Sequence, residues 1–426
     1  MNRSLLLLIA AAFAAPAVAQ TGTPVVAIPP LATPDGTPDA VRSIAWQATQ
    51  LIATDLQTVS EVMALPPDQS DFYSYPEVTA PTFSRWRAKG AKALLTGFVQ
   101  AKSDGRVAIG CYVYDIDKGR EVGRTGFVAD ADDWRRAAHK CSGLIYKAAT
   151  GAPNGPFDAR IAYVAKSGIG PARTSRIALM DSDGYNHSYV TAGDSLVLTP
   201  RLSPHGDRLV FVSYASGKPS LRIADSGSGN QRPLIPGDPV GFAPHFSPDG
   251  SRIAFTMTVA GNSDIYVVGS NGGVPQRLTS APGIDTDPSF SHDGSQILFE
   301  SDRSGLQQLY VMKADGSNQQ RVTFGGGAHA ASEWSPDGSH IAFVRRGPDG
   351  LRIGIMDADG RNEQVLTTGP KDESPTWAPS GRELLFQRTD ALGRTSINRI
   401  SIAGGQARKV AIPQDGADPD WSGNRE

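Results

Sequence analysis

The sequence has few cysteines, no excess of basic residues and no serine-hydrolase motif, and each of these features argues against a class of protein. Of the 426 residues only two are cysteines, which excludes a disulfide-rich scaffold and leaves no cysteine spacing for a metal site. Lysine and arginine (41) nearly balance aspartate and glutamate (43), so the basic footprint of a nucleic-acid-binding protein is missing. The Gly-x-Ser-x-Gly motif of serine hydrolases does not occur in the sequence. A nucleic-acid-binding protein and a serine hydrolase are therefore both disfavoured.

Long apolar runs are also scarce, and the main one stands at the N-terminus. Arg3 is followed by the apolar stretch Leu5–Ala15 and by a small-x-small sequence at 17–19. This pattern is typical of a secretory signal peptide, so we predict a signal peptide over 1–19 and a mature chain beginning at Gln20. A membrane anchor is the alternative, although the run is short for a membrane span. Export predicts a periplasmic protein without membrane insertion.

The two cysteines would then lie in an oxidising compartment, which permits a disulfide between them. Cys111 falls on a predicted strand and Cys141 on a predicted helix of the same domain. A disulfide and a pair of buried thiols both remain open.

Residues 20–156 predict a small α/β domain. Apolar residues at helical spacing predict two helices, and apolar runs predict the strands of a small sheet. The predicted helices span 40–56 and 132–150, and the strands span 25–28, 62–65, 93–100 and 106–115. We expect the segment 20–24, before the first strand, to be flexible. The domain has no glycine-rich phosphate loop and no nucleophile motif, so we predict no cofactor for it.

What the sequence has in abundance is one repeated turn. Trp334-Ser335-Pro336-Asp337-Gly338 leads into the apolar run Ile341–Phe343. Proline presets φ and glycine accepts a positive φ, so the segment predicts strand, turn and strand. Related segments recur every 43 or 44 residues, with their serine or alanine at positions 203, 247, 291, 335, 378 and 422. A fixed period of this length with this turn chemistry predicts a β-propeller.

Each period of the repeat contains four strand-sized pieces. The last copy of the first piece stands at the C-terminus, at Asp418–Ser422, whereas the other three pieces begin their first set after Phe157. We therefore predict an all-β, six-bladed propeller over 157–426 that is closed by the C-terminal strand, because closure removes exposed sheet edges. The protein would be multi-domain, with the small α/β N-terminal domain followed by this propeller.

Polar and apolar groups stand just before the proline that precedes most copies of the turn. Because these segments cross from the rim of one blade to the inside of the next, we expect them to converge on the mouth of the central channel. The candidate residues are Phe242, Asp285, Thr286, Asp287, His329, Asp372, Glu373 and Asp418. Solvated loops with aspartate-capped turns, a divalent-cation or acid–base site, and a docking surface for a protein are all open interpretations. We favour the docking surface, because acidic and apolar groups are combined on a rigid scaffold.

This combination of an export signal, a small α/β domain and six such blades resembles the TolB family of the Tol–Pal cell-envelope system. Its specific pieces are Phe157–Val164 at the domain junction, Leu309–Gly316 within a blade, and Asp285–Pro288 at the mouth. The resemblance implies a non-enzymatic periplasmic adaptor whose propeller mouth binds the lipoprotein Pal. It also implies that the mature N-terminal segment contacts the protein TolA, here through Gln20, Thr21, Gly22 and Thr23.

The resemblance further implies a role in outer-membrane integrity and in constriction of the outer membrane during cell division. The alternative function is a propeller enzyme, such as a metal-dependent hydrolase, or an accessory domain of a peptidase.

Overall fold

The structure is a computed structural model that describes residues 22–152, 155–168 and 174–423. The predicted signal peptide, 1–19, lies outside the described residues, as do Gln20 and Thr21. Within the described ranges no helix has the length and apolar character needed to cross a membrane.

The N-terminal domain is a five-stranded sheet with two long helices packed side by side against one face. Its helices are α1 (Asp39–Thr58), α2 (Ser84–Ala88) and α3 (Trp134–Thr150), with 3₁₀ turns at Gln69–Asp71 and Tyr75–Thr79. Its strands are β1 (Val25–Ala27), β2 (Met63–Ala64), β3 (Ala93–Ala101), β4 (Val107–Asp115) and β5 (Arg120–Ala129). The sheet order is β2-β1-β3-β4-β5, and β1 is parallel to both of its neighbours. The small α/β unit predicted from the sequence is confirmed.

Two details of this domain go beyond the sequence-based prediction. Cys111 in β4 and Cys141 in α3 are joined in a disulfide, which ties α3 to the sheet. The edge strand β5 was not predicted. Gly123 and Gly126 interrupt its apolar residues, and glycine weakens the strand signal.

The propeller begins with the three outer strands of its last blade, blade 6. These are β6 (Arg160–Ser167), β7 (Thr174–Asp181) and β8 (Ser188–Tyr189). Blade 1 consists of β9 (Val197–Leu202), β10 (Arg208–Ser213), β11 (Ser220–Asp225) and β12 (Gln231–Pro233). Blade 2 consists of β13 (Gly241–Phe246), β14 (Arg252–Val259), β15 (Asn262–Gly269) and β16 (Gln276–Arg277).

The remaining blades repeat the same four-stranded order. Blade 3 consists of β17 (Asp285–Phe290), β18 (Gln296–Ser301), β19 (Gln308–Lys313) and β20 (Gln320–Arg321). Blade 4 consists of β21 (Ala328–Trp334), β22 (His340–Gly347), β23 (Gly350–Asp357) and β24 (Gln364–Val365). Blade 5 consists of β25 (Asp372–Trp377), β26 (Glu383–Thr389), β27 (Thr395–Ser401) and β28 (Arg408–Lys409), and β29 (Asp415–Trp421) follows.

The last strand closes the ring. β29 pairs antiparallel with β6, with Trp421 opposite Ile161, and becomes the innermost strand of blade 6. The predicted six-bladed propeller and its closure by the C-terminal strand are confirmed.

The aromatic residue that ends each inner strand of blades 2 to 6 is buried between blades. Phe246, Phe290, Trp334, Trp377 and Trp421 are each at most 8% exposed. Burying a large apolar side chain stabilises a fold by roughly 1.5–3 kcal/mol, so these positions hold neighbouring blades together. The repeated aromatic is core, as its position beside the turn predicts.

The N-terminal domain contacts the propeller at the end where the Ser-Pro-Asp-Gly turns lie. Asp183, in the hairpin between β7 and β8, forms an ion pair with Arg135 of α3 and lies 3.5 Å from Nε2 of His139. Nδ1 of His139 lies 2.8 Å from Asp55 of α1. Burial lowers the pKa of His139, but the two carboxylates outweigh it and raise the pKa to about 10. A buried imidazolium therefore joins the two domains.

Candidate docking site at the channel mouth

Each of the six inner strands contains a β-bulge at the same position, so the bulges surround the channel. In each strand the pairing register shifts at the same place. The residue four positions before the turn serine or alanine has a positive φ, between 43° and 53°, at Thr199, Ala243, Asp287, Ala331, Ser374 and Asp418. A left-handed backbone costs a non-glycine residue roughly 1–2 kcal/mol, so it persists where the surrounding fold enforces it. Six equal bulges are a built feature of the mouth.

Side chains of neighbouring blades hold several of these bulges in place. The amide of Asp287 donates to Oγ1 of Thr256 (3.2 Å), and the amide of Asp418 donates to Oε1 of Gln387 (3.2 Å). The amide of Ala331 donates to Oε1 of Glu300. The carboxylate of Asp418 in turn accepts from the amide of Thr199 at 3.3 Å. The main chain at the mouth is therefore fixed before any partner arrives.

The predicted mouth residues divide into two groups. Phe242, Thr286, Asp287, Glu373 and Asp418 are partly accessible at this end of the channel. The other three, Asp285, His329 and Asp372, are each 0% exposed. The expectation that all eight converge on the open mouth is thus corrected for these three.

The three buried residues are paired inside their own blades. Asp285 accepts from Arg303 at 2.7 Å, and Asp372 accepts from Nε of Arg388, its register partner, at 2.7 Å. Nε2 of His329 lies 3.2 Å from Glu363. Asp285 and Asp372 begin their inner strands beside an arginine that follows or lies within the second strand, so the ion pair turns each carboxylate into the blade. These ion pairs stabilise the strand ends that form the mouth, but the carboxylates themselves are not exposed to a partner.

The channel below the mouth holds one arginine among several carboxyl groups. Nε of Arg201 lies 3.8 Å from Asp420. Burial lowers the pKa of Arg201, but Asp420, Glu333 and Asp287 outweigh it and the net shift is upward. Burial, then the charge of Asp420, raises the pKa of Glu333 to about 8. Glu333 is therefore mostly protonated at neutral pH, and the channel carries less negative charge than its carboxyl count suggests.

The carboxyl groups nearest the mouth are perturbed in the same direction. Removal from bulk water raises the pKa of Asp287, although Arg201 opposes the shift. Burial, then the charge of Asp287, raises the pKa of Glu300 well above its ordinary value. A cation or hydrogen-bond donor from a partner would therefore interact with carboxyl groups that are already largely desolvated, where such interactions are stronger than in water.

An apolar ring at the mouth end was not predicted from the sequence. Six large apolar side chains in the loops at this end are between 47% and 79% exposed: Leu196, Val259, Ile284, Leu306, Phe324 and Leu392. Single exposed apolar residues are ordinary, but a set gathered around one opening is typical of an interaction surface. The sequence offered one signal, because Phe324 stands before three consecutive glycines. Its exposure depends on tertiary packing and could not be read from the sequence.

The predicted TolA-binding segment is described in part. Gly22 and Thr23 are exposed and lie outside regular secondary structure, and the carbonyl of Pro24 accepts from the amide of Met63 at 3.0 Å. Gln20 and Thr21 lie outside the described residues. The segment leaves the domain beside the sheet edge formed by β2.

The described residues contain no group of three or more histidine, cysteine, aspartate or glutamate side chains arranged to hold a metal ion. The cation-site interpretation of the mouth therefore gains no support from the described part of the chain.

Fold and mouth together define a two-domain propeller protein with a preorganised channel mouth. Two family models match the chain, the TolB beta propeller domain over residues 146–425 and the TolB amino-terminal domain over residues 19–122. The chain belongs to the TolB family.

Individual relatives agree with this assignment. The chain is similar to the "Tol-Pal system protein TolB" of Zymomonas mobilis, with 45% identity over 208 residues, 47% of this chain and 44% of the relative. The protein of the same name from Rhizorhabdus wittichii is 44% identical over 228 residues, 50% of this chain and 52% of the relative. The chain spans about half the length of the curated relatives it matches.

A solved structure matches over a longer span. The crystal structure of TolB from Acinetobacter baumannii superimposes with a TM-score of 0.76 at 26% identity. The match covers 94% of this chain and 96% of that chain.

Proposed function

We propose that the chain is a non-enzymatic periplasmic adaptor of the Tol–Pal system. It binds Pal at the channel mouth and TolA through its N-terminal segment, residues 20–23, and so supports outer-membrane integrity and constriction during cell division. Membership of the TolB family and the names of its relatives support the system. The signal-peptide pattern supports the location.

The main support for Pal binding at the mouth is that a fixed main chain is combined there with an exposed apolar ring. The bulges at Asp287 and Asp418 are held by neighbouring blades, so little ordering is lost when a partner docks. The ring around them supplies apolar area that leaves water on docking. A rigid opening with an apolar rim is typical of a protein-binding surface.

Charge adds selectivity to this surface. Asp287, Glu373 and Asp418 are partly accessible carboxyl groups at the mouth. They favour basic groups on Pal, because opposite charges speed encounter and discriminate against wrong partners.

Calorimetry of mature protein with the periplasmic domain of Pal tests the Pal site. We expect Asp287→Ala and Glu373→Ala each to weaken binding by about tenfold, because each removes a charge at the docking surface. Asp249→Ala, at the opposite end of the channel, is the matched control and should leave affinity unchanged. Unchanged affinity in both mouth variants would contradict binding of Pal at the channel mouth. Bound metal with a hydrolytic activity that a chelator removes would favour the enzyme alternative.

The TolA site has its own test. We expect deletion of residues 20–23 to abolish binding to the periplasmic part of TolA while Pal affinity stays within about twofold, since the two sites use different surfaces. Binding of TolA by the shortened protein would place the TolA site elsewhere.

A further inference from the structure

A small pocket of mixed polar and apolar lining lies at the mouth, formed mainly by blade 4 with contributions from blades 3, 5 and 6. We propose that this pocket receives one large apolar side chain of Pal, and that a lysine or arginine next to it in Pal pairs with Glu373 and Asp418. This inference rests on the proposed function and adds the chemistry of the docking segment.

The size of the pocket limits what can fill it. It encloses about 210 Å³, with Ala330, Val344 and Leu351 among its apolar lining and Arg346, Glu373 and Asp418 among its charged lining. Pockets for small-molecule ligands usually have about 300–1,000 Å³. This one is too small for that class and suits a single side chain.

An exposed apolar ridge flanks the pocket. Leu306 is 61% exposed and Phe324 is 76% exposed, although side chains of this kind are normally buried. The two loops that carry them are tied together, because the amide of His329 donates to Gln307 (3.0 Å) and Gln308 donates to the carbonyl of Gly327 (2.9 Å). Gln307 and Ala328 line the pocket, so Leu306 and Phe324 stand in the loops beside it, and a partner segment that enters the pocket is placed to cover them.

The polar wall of the pocket specifies the neighbouring charge. Glu373 lies 3.3 Å from Lys371, a pair whose lysine is half exposed and which is therefore weak. Among the described residues, the hydrogen bonds to the carboxylate of Asp418 come from neutral donors, Ser374 at 3.2 Å and the amide of Thr199 at 3.3 Å. Arg346 also lines the pocket, but the two carboxyl groups outnumber it, so the charge of the lining still favours a cation from the partner. A second copy of this chain would present the same carboxyl groups face to face, so charge disfavours self-association here.

Filling the pocket is the direct test. Ala330→Trp occupies it from the strand beside Val344, and we expect Pal affinity measured by calorimetry to fall by about tenfold or more. Leu306→Asp with Phe324→Asp removes the apolar ridge without touching the strands and should weaken binding to a similar extent. Val274→Asp is the matched control, since Val274 is 93% exposed at the opposite end of the propeller, and its affinity should stay within about twofold.

A scan of Pal then identifies the docked side chain. Each exposed large apolar residue of Pal is replaced by alanine and combined with Ala330→Trp in a double-mutant cycle. We expect one residue, adjacent to a lysine or arginine, whose replacement makes Ala330→Trp nearly neutral. If Ala330→Trp and the ridge variant bind Pal like the parent while Asp287→Ala weakens binding, the pocket is wrong and the Pal site stands. If the parent does not bind Pal, both proposals fall.

Discussion

The two ends of the propeller are built from the same six repeats, yet they differ in almost every physical respect. At the turn end, aspartate and serine side chains saturate one another and the N-terminal domain is held by buried charges. At the mouth end, six residues adopt a left-handed backbone and six large apolar side chains face water. The difference shows that contacts within the protein occupy the turn end, whereas the mouth end keeps large apolar side chains exposed and available for binding.

The turns of blades 2, 3 and 4 are alike because their chemistry is local. Asp337 accepts from Oγ of Ser335 (2.6 Å) and from the amide of Ser339 (3.0 Å). Asp249 and Asp293 make the same contacts in their blades, and these hydrogen bonds lower the pKa of each to about 2. The turn carboxylates thus stay charged throughout the physiological range. The mouth residues, by contrast, differ from blade to blade.

The largest expected effect concerns the charged contact between the domains. His139→Gln leaves Asp55 and Asp183 buried without their shared cation, and such a loss costs about 3–5 kcal/mol. Urea unfolding of the variant and the parent measures the difference, and calorimetry with Pal should show unchanged affinity. A large loss of Pal affinity would mean that the two ends are not independent.

The same contact predicts a dependence on pH. The pKa of His139 is raised from 6.5 to about 10 in the folded protein, so its contribution to stability is fully present below pH 6.5 and is lost as the pH rises through about 10. Unfolding free energies measured between pH 6 and 10 should fall in the parent and fall less in His139→Gln. Equal slopes would contradict the charged contact.

The disulfide should have the next largest effect. Replacing Cys111 and Cys141 together by alanine frees a loop of 30 residues, and such loops are usually worth about 2–4 kcal/mol. We expect the N-terminal domain to unfold at lower urea concentration while the propeller transition and Pal affinity stay unchanged. A shift of the propeller transition by the same amount would show that the domains unfold as one unit.

A single turn should matter less. Asp337→Ala removes the acceptor for Ser335 and Ser339, and hydrogen bonds of this kind contribute about 1 kcal/mol each. Thermal unfolding should show a small decrease with no change in Pal affinity. Loss of Pal binding in this variant would assign a partner contact to the turn end.

The smallest effect on stability is expected at the mouth. Leu392→Asp changes a side chain that is 79% exposed, so the free energy of unfolding should move by no more than about 0.5 kcal/mol. Pal affinity should nevertheless decrease, because the apolar ring loses a member. A clear loss of stability would mean that the ring supports the fold and is not reserved for binding.

The fold was largely predictable because its signals are local. The segment Trp334-Ser335-Pro336-Asp337-Gly338 encodes a buried aromatic residue and a turn that leads into the next strand. Its regular period predicts a propeller, and its six copies predict six blades. The edge strand β5 was missed since Gly123 and Gly126 break its pattern. No residue of this strand is fully buried, so its sequence marks a core face only weakly.

The mouth was predictable in place but not in detail. Position in the repeat brought Asp285 and Asp287 to the same end of the channel, but it could not show that Arg303 draws Asp285 into the blade. The left-handed conformation of Asp287 depends on pairing between strands, which the order of residues does not reveal. The exposure of Phe324 depends on what the neighbouring loops leave uncovered.

Hydrogen exchange of the mature protein with and without the periplasmic domain of Pal tests the central claim most directly. We expect Pal to slow exchange in the mouth loops and bulges, at 284–287, 302–307, 324–331 and 372–374. The Ser-Pro-Asp-Gly turns at 247–250 and 335–338 should exchange as before. Protection of the turns with unchanged exchange at the mouth would contradict the account.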